Sequence, residues 1–296
     1  MATPGPVDVL AEAERSLQLH GRVVLCQIVR SEGSTPGKPG WKLLARPDGS
    51  AFGNLGGGAF EAMVTADALG KLAQAVPVSE VKRYYFTEEA VAFKGEPTGM
   101  VCGGMAEVFL EVMAALPVLV ICGGGPVGQA LALAGALAGF ELLVVDDREE
   151  FRDPALFPAG TRLAAVTREY EEPFLAGVVH RDLYLAVVTR CWETDTAALT
   201  AVLHQGDALP RLCYLGLMGS RRKIARVRAE VAARGGELDR HVLHAPIGLP
   251  IGGDSPGEIA IGVLAEIIAT RYERETEGRD HAALLDDMER VERKDA

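Results

Sequence analysis

The segment that most constrains the fold is Cys122-Gly123-Gly124-Gly125-Pro126-Val127-Gly128. It follows the apolar run Val118-Leu119-Val120-Ile121 and opens a stretch of helix-forming residues. A second apolar run then ends in Asp146. G-x-G-x-x-G between a strand and a helix, with an acid closing the next strand, is the pattern of a Rossmann unit. Gly123 permits the tight turn, Gly125 lets a phosphate approach the backbone, and Gly128 lets helix and strand pack closely, while amides at the helix start face the anion. Asp146 is placed to accept hydrogen bonds from a ribose diol. With Asp147 beside it, an unphosphorylated ribose such as that of NAD is favoured over NADP.

Alternation of strands and helices starts at Pro117. The apolar pattern predicts strands at 118–122, 141–146, 163–166, 183–189, 212–217 and 242–244. Helices are expected at 126–138, 196–204, 221–234 and from the Ser255 cap to about 272, with 149–161 a long loop. Continuous apolar strands alternating with helices imply a parallel sheet covered on both faces. Upstream, a helix over 7–20 precedes a strand at 22–29. Hairpin strands at 41–45 and 50–55 flank Pro47-Asp48-Gly49, a helix runs from Gly58 to before Pro77, and strands follow at 81–86 and 106–112. The expected fold class is therefore α/β. An N-terminal α+β domain (1–115) precedes a Rossmann-like doubly wound parallel-sheet domain (116–272), and a charged tail (273–296) follows.

A net charge of −11 argues against nucleic-acid or anionic-membrane surfaces, which need a basic patch. Apolar runs are broken by glycines and acids, so no membrane span is expected. The first residues carry no basic region followed by an apolar stretch, so no targeting segment is expected. Five scattered cysteines without a C-x-x-C pair fit a reduced, cytoplasmic protein. Cys26, Cys122 and Cys213 sit in apolar strands and are expected to be inert.

Several glycine-rich loops exceed what plain turns require. One is Gly33-Ser34-Thr35-Pro36-Gly37-Lys38-Pro39-Gly40. Another is Gly53-Asn54-Leu55-Gly56-Gly57-Gly58 with Glu61 just beyond, and a third is Cys102-Gly103-Gly104. Runs of glycine leave amides uncovered and able to form anion-binding nests, and Lys38 adds a point charge for a phosphate. Turn and bulge geometry alone also accounts for such glycines. Cys102, flanked by glycine on one side, is placed to present a thiolate to a metal or a sulfur relay. Cys191 is a second candidate, at the carboxyl end of a strand where ligands bind in such sheets. Ser220-Arg221-Arg222-Lys223, opening a helix, suits an anion, as does a solvated basic face. His244 lies in the loop that feeds the last helix, where a lone histidine is more often structural.

Taken in order, G-S-T-P-x-K-P-G, G-x-x-G-G-G-x-x-E, C-G-G, the Rossmann turn, G-x-x-G-S-R-R-K and H-A-P-I-G-L-x-I-G resemble the XdhC/CoxI family, from about Val23 to Ala269. That resemblance implies an accessory factor for molybdenum hydroxylases such as xanthine dehydrogenase. Such a factor binds the molybdenum cofactor, as molybdopterin or its dinucleotide form, and presents it to a cysteine desulfurase for sulfuration. It then delivers the cofactor to the hydroxylase apo-enzyme. Homodimers are typical of the family. On this reading Lys38, Gly56, Gly57, Gly58 and Gly103 hold phosphate or pterin, and Cys102 contacts the molybdenum centre. Gly123, Gly125, Gly128, Asp146, Ser220 and Arg221 add further walls to one composite site.

The sequence departs from the family at Thr189-Arg190-Cys191-Trp192-Glu193-Thr194-Asp195. The family pattern there is T-x-G-H-x-x-D, so Trp192 replaces its histidine and Cys191 its glycine. An NAD-dependent oxidoreductase is the alternative that the glycine turn suggests. No histidine or lysine is singled out by its spacing to polarise a carbonyl. A structural scaffold for a hydroxylase complex is a third reading.

Overall fold

The computed structural model describes residues 6–73, 78–86, 96–97, 103–171, 173–178, 180–205, 211–236 and 243–273. The first half contains α1 (Pro6–His20), β1 (Arg22–Glu32), β2 (Lys42–Ala45), β3 (Ala51–Gly53), α2 (Gly58–Leu72), β4 (Glu80–Tyr85), β5 (Glu96–Pro97) and β6 (Met105–Ala114). Its six strands are ordered β3-β2-β1-β6-β4-β5, antiparallel except between β4 and β5. Side chains alternate along β1, and both faces are covered. Val23 and Leu25 meet Val9 and Ala13 of α1 on one face. Val24, Cys26 and Ile28 meet Phe60, Val64 and Ala68 of α2 on the other.

The second half holds β7 (Val118–Cys122), α3 (Pro126–Leu137), β8 (Glu141–Asp146), β9 (Arg162–Ala165), β10 (Leu183–Val187), α4 (Trp192–Leu203), β11 (Leu212–Leu217), α5 (Arg221–Ala233), β12 (Leu243–His244) and α6 (Pro256–Glu273). The strands are all parallel, in the order β12-β11-β10-β7-β8-β9. This is the doubly wound Rossmann order, and its direction reverses between β7 and β10. Alternate strand residues feed two cores. Val120, Leu185 and Leu215 pack with α4 and α5, whereas Ile121, Ala186 and Tyr214 pack with α3 and α6.

The expected strands 118–122, 141–146 and 212–217 match the observed ones in their bounds. Helix α4 begins at Trp192, four residues before the expected start at 196. Cys191 at its N-cap makes no side-chain cap bond, so the usual sequence signal is missing. Strand β1 runs three residues beyond the expected 29, because Arg30 to Glu32 pair with Met105 to Glu107 past a bulge. Strand β5 carries no pattern that marks it. At α6 the expected capping box forms: the Ser255 amide donates to Glu258 Oε2 at 3.0 Å, and the Glu258 amide donates to Ser255 Oγ at 3.3 Å.

A compact polar junction joins the halves. The Ala115 amide donates to the Gly21 carbonyl. Arg22, whose side chain is buried, pairs with Asp182 at 2.8 Å, and Asp182 also pairs with Arg211. Arg181 donates to the Leu116 carbonyl. Gly21 has φ +71°, and a β-carbon there would sit 1.8 Å from the His180 carbonyl oxygen. Left-handed backbone and a backbone clash act together, each costing about 1–3 kcal/mol. Gly21→Ala is expected to lower Tm by about 5 °C or more, read by circular dichroism.

Candidate functional site

The glycine loops of the first half converge on one end of its sheet. Strand β1 leads out to Gly33, β6 begins after Gly104, and β3 leads to the Asn54–Gly58 turn. Ser34 bridges to Gly103. A β-carbon on Gly104 would lie 2.2 Å from the Ser34 carbonyl oxygen, and one on Gly37 would lie 2.2 Å from that of Leu55. The Gly33–Gly37 segment is thus clamped between the other two loops. Gly57, Gly58 and Gly103 have φ of +76°, +65° and +71°, and nothing crowds them. Their backbone faces open space. Lys38 is exposed on the same loop cluster.

Glu61 modifies the expected nest. Its Oε2 accepts from the amides of Leu55 (3.1 Å) and Gly57 (2.9 Å). A carboxylate of the chain therefore occupies part of the amide cluster at the start of α2. Cys102 lies outside the described residues.

In the second half, the Rossmann crevice opens where the strand order reverses. A β-carbon on Gly123 would lie 2.7 Å from the Val188 carbonyl oxygen, and one on Gly128 would lie 1.9 Å from the Gly123 carbonyl oxygen. The turn, α3 and the end of β10 are thus in close contact. Asp146 is almost wholly buried, and its oxygens are already engaged. Oδ2 accepts from the Gly124 amide at 2.7 Å and from Arg148 Nη2 at 3.0 Å, while Oδ1 accepts from the Arg148 amide at 2.9 Å. The Arg148 guanidinium lies 3.9 Å from the centre of the Phe151 ring. Phe151 in turn covers Gly124, leaving 2.3 Å between its carbonyl oxygen and an added β-carbon. An NAD ribose posed on Asp146 would have to displace this arrangement. The residues present do not fit that group as they stand.

A second clasp links the strands flanking β7. Arg190 Nη1 and Nη2, after β10, donate to Asp147 Oδ1 and Oδ2, after β8, both at 2.7 Å. The Arg190 guanidinium holds the Asp147 carboxyl below the usual carboxylate range. Beneath the turn, burial pushes the Cys122 thiol up to about 12, which leaves it inert as expected. Tyr170, at φ 55°, is buried in the same core.

Next to β10, Asp195 is fully buried, and burial raises its carboxyl above the ordinary range. Thr189 Oγ1 donates to Asp195 Oδ1 at 2.6 Å. Lys223 Nζ lies 2.5 Å from Oδ2, as an ion pair without the alignment of a hydrogen bond. Lys223 also donates to the Met218 carbonyl. Of the basic trio, Lys223 is therefore committed to Asp195, whereas Arg221 is exposed. Ser220 caps α5 by accepting from the Lys223 amide at 3.3 Å. Cys191 Sγ lies 3.2 Å from Thr194 Oγ1 and accepts from Arg168 at 3.7 Å. Trp192, at the position where the family pattern has histidine, stacks under Arg226 at 3.6 Å. His244 stacks on Tyr214, with Nδ1 3.4 Å from Glu266 Oε1.

Gly123, Gly125, Gly128 and Asp146 lie at the carboxyl ends of the parallel strands, as does the 220–223 turn after β11. The N-terminal loops lie beyond Glu32, at the end of an 11-residue strand whose start, Arg22, is at the junction.

Residues 119–267 match the XdhC Rossmann domain family, and residues 16–84 match the XdhC and CoxI family. The chain belongs to the XdhC/CoxI family. Uncharacterized protein YqeB of Escherichia coli K12 is 34% identical over 271 residues, covering 90% of this chain and 46% of that protein. A Bacillus subtilis protein named as a probable xanthine dehydrogenase component is 30% identical over 165 residues, covering 55% of this chain and 46% of that one. This XdhC/CoxI chain thus spans about half the length of each of these relatives. A solved structure described as a xanthine dehydrogenase from Bacillus halodurans covers 95% of this chain and all of its own, at 19% identity and a TM-score of 0.46.

The Asp195–Lys223 pair gives a pH test. A carboxyl raised in the folded state binds its proton more tightly there, so stability falls as pH rises from about 4 through the folded value. Lys223 counteracts that rise. Lys223→Met should unfold at lower urea than the parent, with a larger loss at pH 7 than at pH 4. An equal loss at both pH values would refute the pairing.

Proposed function

We propose that this chain is an accessory factor for a xanthine dehydrogenase-like molybdenum hydroxylase. In this role it binds the molybdenum cofactor, supports its sulfuration by a cysteine desulfurase and delivers it to the apo-enzyme. The observation that carries the reading is the convergence of Lys38, Gly56 to Gly58 and Gly103 at one end of the N-terminal sheet. Membership of the family and the likeness to the B. subtilis protein support it.

The exposed part of this loop cluster fits an anionic pterin. Gly57, Gly58 and Gly103 present bare backbone, so a flat ring system can approach without side chains in the way. Lys38 supplies a mobile ammonium for the phosphate. Glu61 holds the Leu55 and Gly57 amides in fixed directions, and its negative charge turns the phosphate toward Lys38. When bound, the cofactor supplies the molybdenum centre at which an oxo ligand is exchanged for sulfido. Cys102, one residue before Gly103, is assigned to the metal side of the bound cofactor. The chain itself supplies binding and orientation, as a carrier rather than a turnover enzyme, and as a homodimer in the cytoplasm.

Cofactor retained by the purified protein is measured as the fluorescent pterin released on oxidation. Lys38→Ala should cut retention about tenfold, the worth of one charge-assisted contact. Cys102→Ala should keep the pterin but lose sulfurated cofactor delivered to apo-hydroxylase. Full delivery by both variants would defeat the assignment. Saturable NADH binding with substrate turnover would favour an NAD-dependent oxidoreductase instead.

A further inference from the structure

A cavity of about 340 Å³ opens over α4, within the range of small-molecule sites, about 300–1,000 Å³. Ala197, Thr200, Ala201 and Gln205 form its floor, along one face of the helix and its end. Small side chains at the first three positions leave the space open. One wall is Glu169, Tyr170 and Glu171, in the loop after β9, and another is Arg234, the C-cap of α5. Arg168, beside Glu169, donates to Cys191 at the N-cap of α4, so the two acids stand toward the start of that helix. A β-carbon on Gly236 would lie 3.0 Å from a Leu203 methyl, so Arg234 stands toward its end. Opposite charges are thus set apart along the groove, by up to about 12 Å, the helical rise from Ala197 to Gln205. None of the three is in an ion pair among the described residues. Between them, Thr200 is 8% exposed, and its Oγ1 has no hydrogen-bond partner among the described residues. Thr196, one turn earlier, donates its hydroxyl to the Trp192 carbonyl at 2.8 Å. A buried hydroxyl without a partner is uncommon in a folded chain and marks a place for an incoming polar group.

We propose that this groove binds a short peptide of two or three residues with both ends free. Its ammonium lies by Glu169 and Glu171, its carboxylate meets Arg234, and a peptide group meets Thr200 Oγ1. Three features select that class. An extended tripeptide reaches about 10 Å, close to the separation of the charges. Acids at one end and a guanidinium at the other match a zwitterion and disfavour a ligand with a single charge. The Thr200 hydroxyl and the Gln205 carboxamide suit the peptide groups in between. Tyr170 ties the groove to the Rossmann core. At φ 55° it is the one non-glycine residue with left-handed backbone among the described residues, and its hydroxyl bonds to Cys122, next to Gly123. The inference does not rest on the cofactor reading.

Isothermal titration calorimetry of the full chain tests it, with tri-alanine up to about 10 mM as the probe. Tri-alanine should bind at one site per chain, and N-acetylation or C-amidation should each weaken it about tenfold. Arg234→Ala should weaken tri-alanine about tenfold yet leave its C-terminal amide unchanged, since the amide offers no carboxylate. Thr200→Val should weaken binding about fivefold while Tm holds or rises, because an unpartnered hydroxyl is removed. No saturation at the highest concentration overturns the proposal. So does equal binding of free and blocked peptides, or unchanged binding by Thr200→Val. An Arg234→Ala chain that loses the amide as strongly as the acid overturns it too. Binding that needs the carboxylate alone also overturns it, since the groove would then read the end of a protein chain.

Discussion

Helix α3 reaches the parallel sheet because Gly128 and Gly135 have no β-carbon. A methyl at Gly128 would lie 1.9 Å from the Gly123 carbonyl oxygen, and one at Gly135 would lie 2.8 Å from a Leu119 methyl. Much else follows from that close approach. It fixes the turn at the end of β7, presses the turn against the end of β10, and sets α3 at the depth where α6 can pack beside it. Interiors are dense enough that one extra methyl shifts its neighbours. The third glycine of the motif is thus a packing residue before it is a ligand residue.

The acids at the ligand-facing positions follow a common rule. Asp146 holds the Gly124 amide and Arg148, Asp147 holds Arg190, Asp195 holds Lys223, and Glu61 holds two loop amides. Each is matched to a donor of the same chain. A buried charge without a partner is costly, so these matches are conditions of folding as much as features of a site. Any anion that enters the crevice competes with carboxylates already in place. This is why a fingerprint read as a dinucleotide site describes the fold better than the ligand.

Much of the fold was legible because its signals are local. Strands β7, β8 and β11 are unbroken apolar runs, and Ser255-Pro256 with Glu258 marks the start of α6. Where the signal was tertiary, reading failed. Nothing at Cys191 announces a helix cap, and nothing in Glu96-Pro97 announces a strand. At the site, Glu61 was visible in its motif, but its role against Leu55 and Gly57 depends on how the turn closes. Lys223 read as part of a basic trio because its partner, Asp195, is distant in sequence.

The junction at Gly21, Arg22 and Asp182 has a mechanical meaning. It ties the first residue of β1 to the residue before β10, so the starts of two central strands share one polar contact. Gly21 leaves no space there for a side chain, and the Asp182 carboxylate is shared by Arg22 and Arg211. Strain on either sheet is therefore met by backbone packing and by charge together, and loss of one partner would strand a poorly hydrated charge.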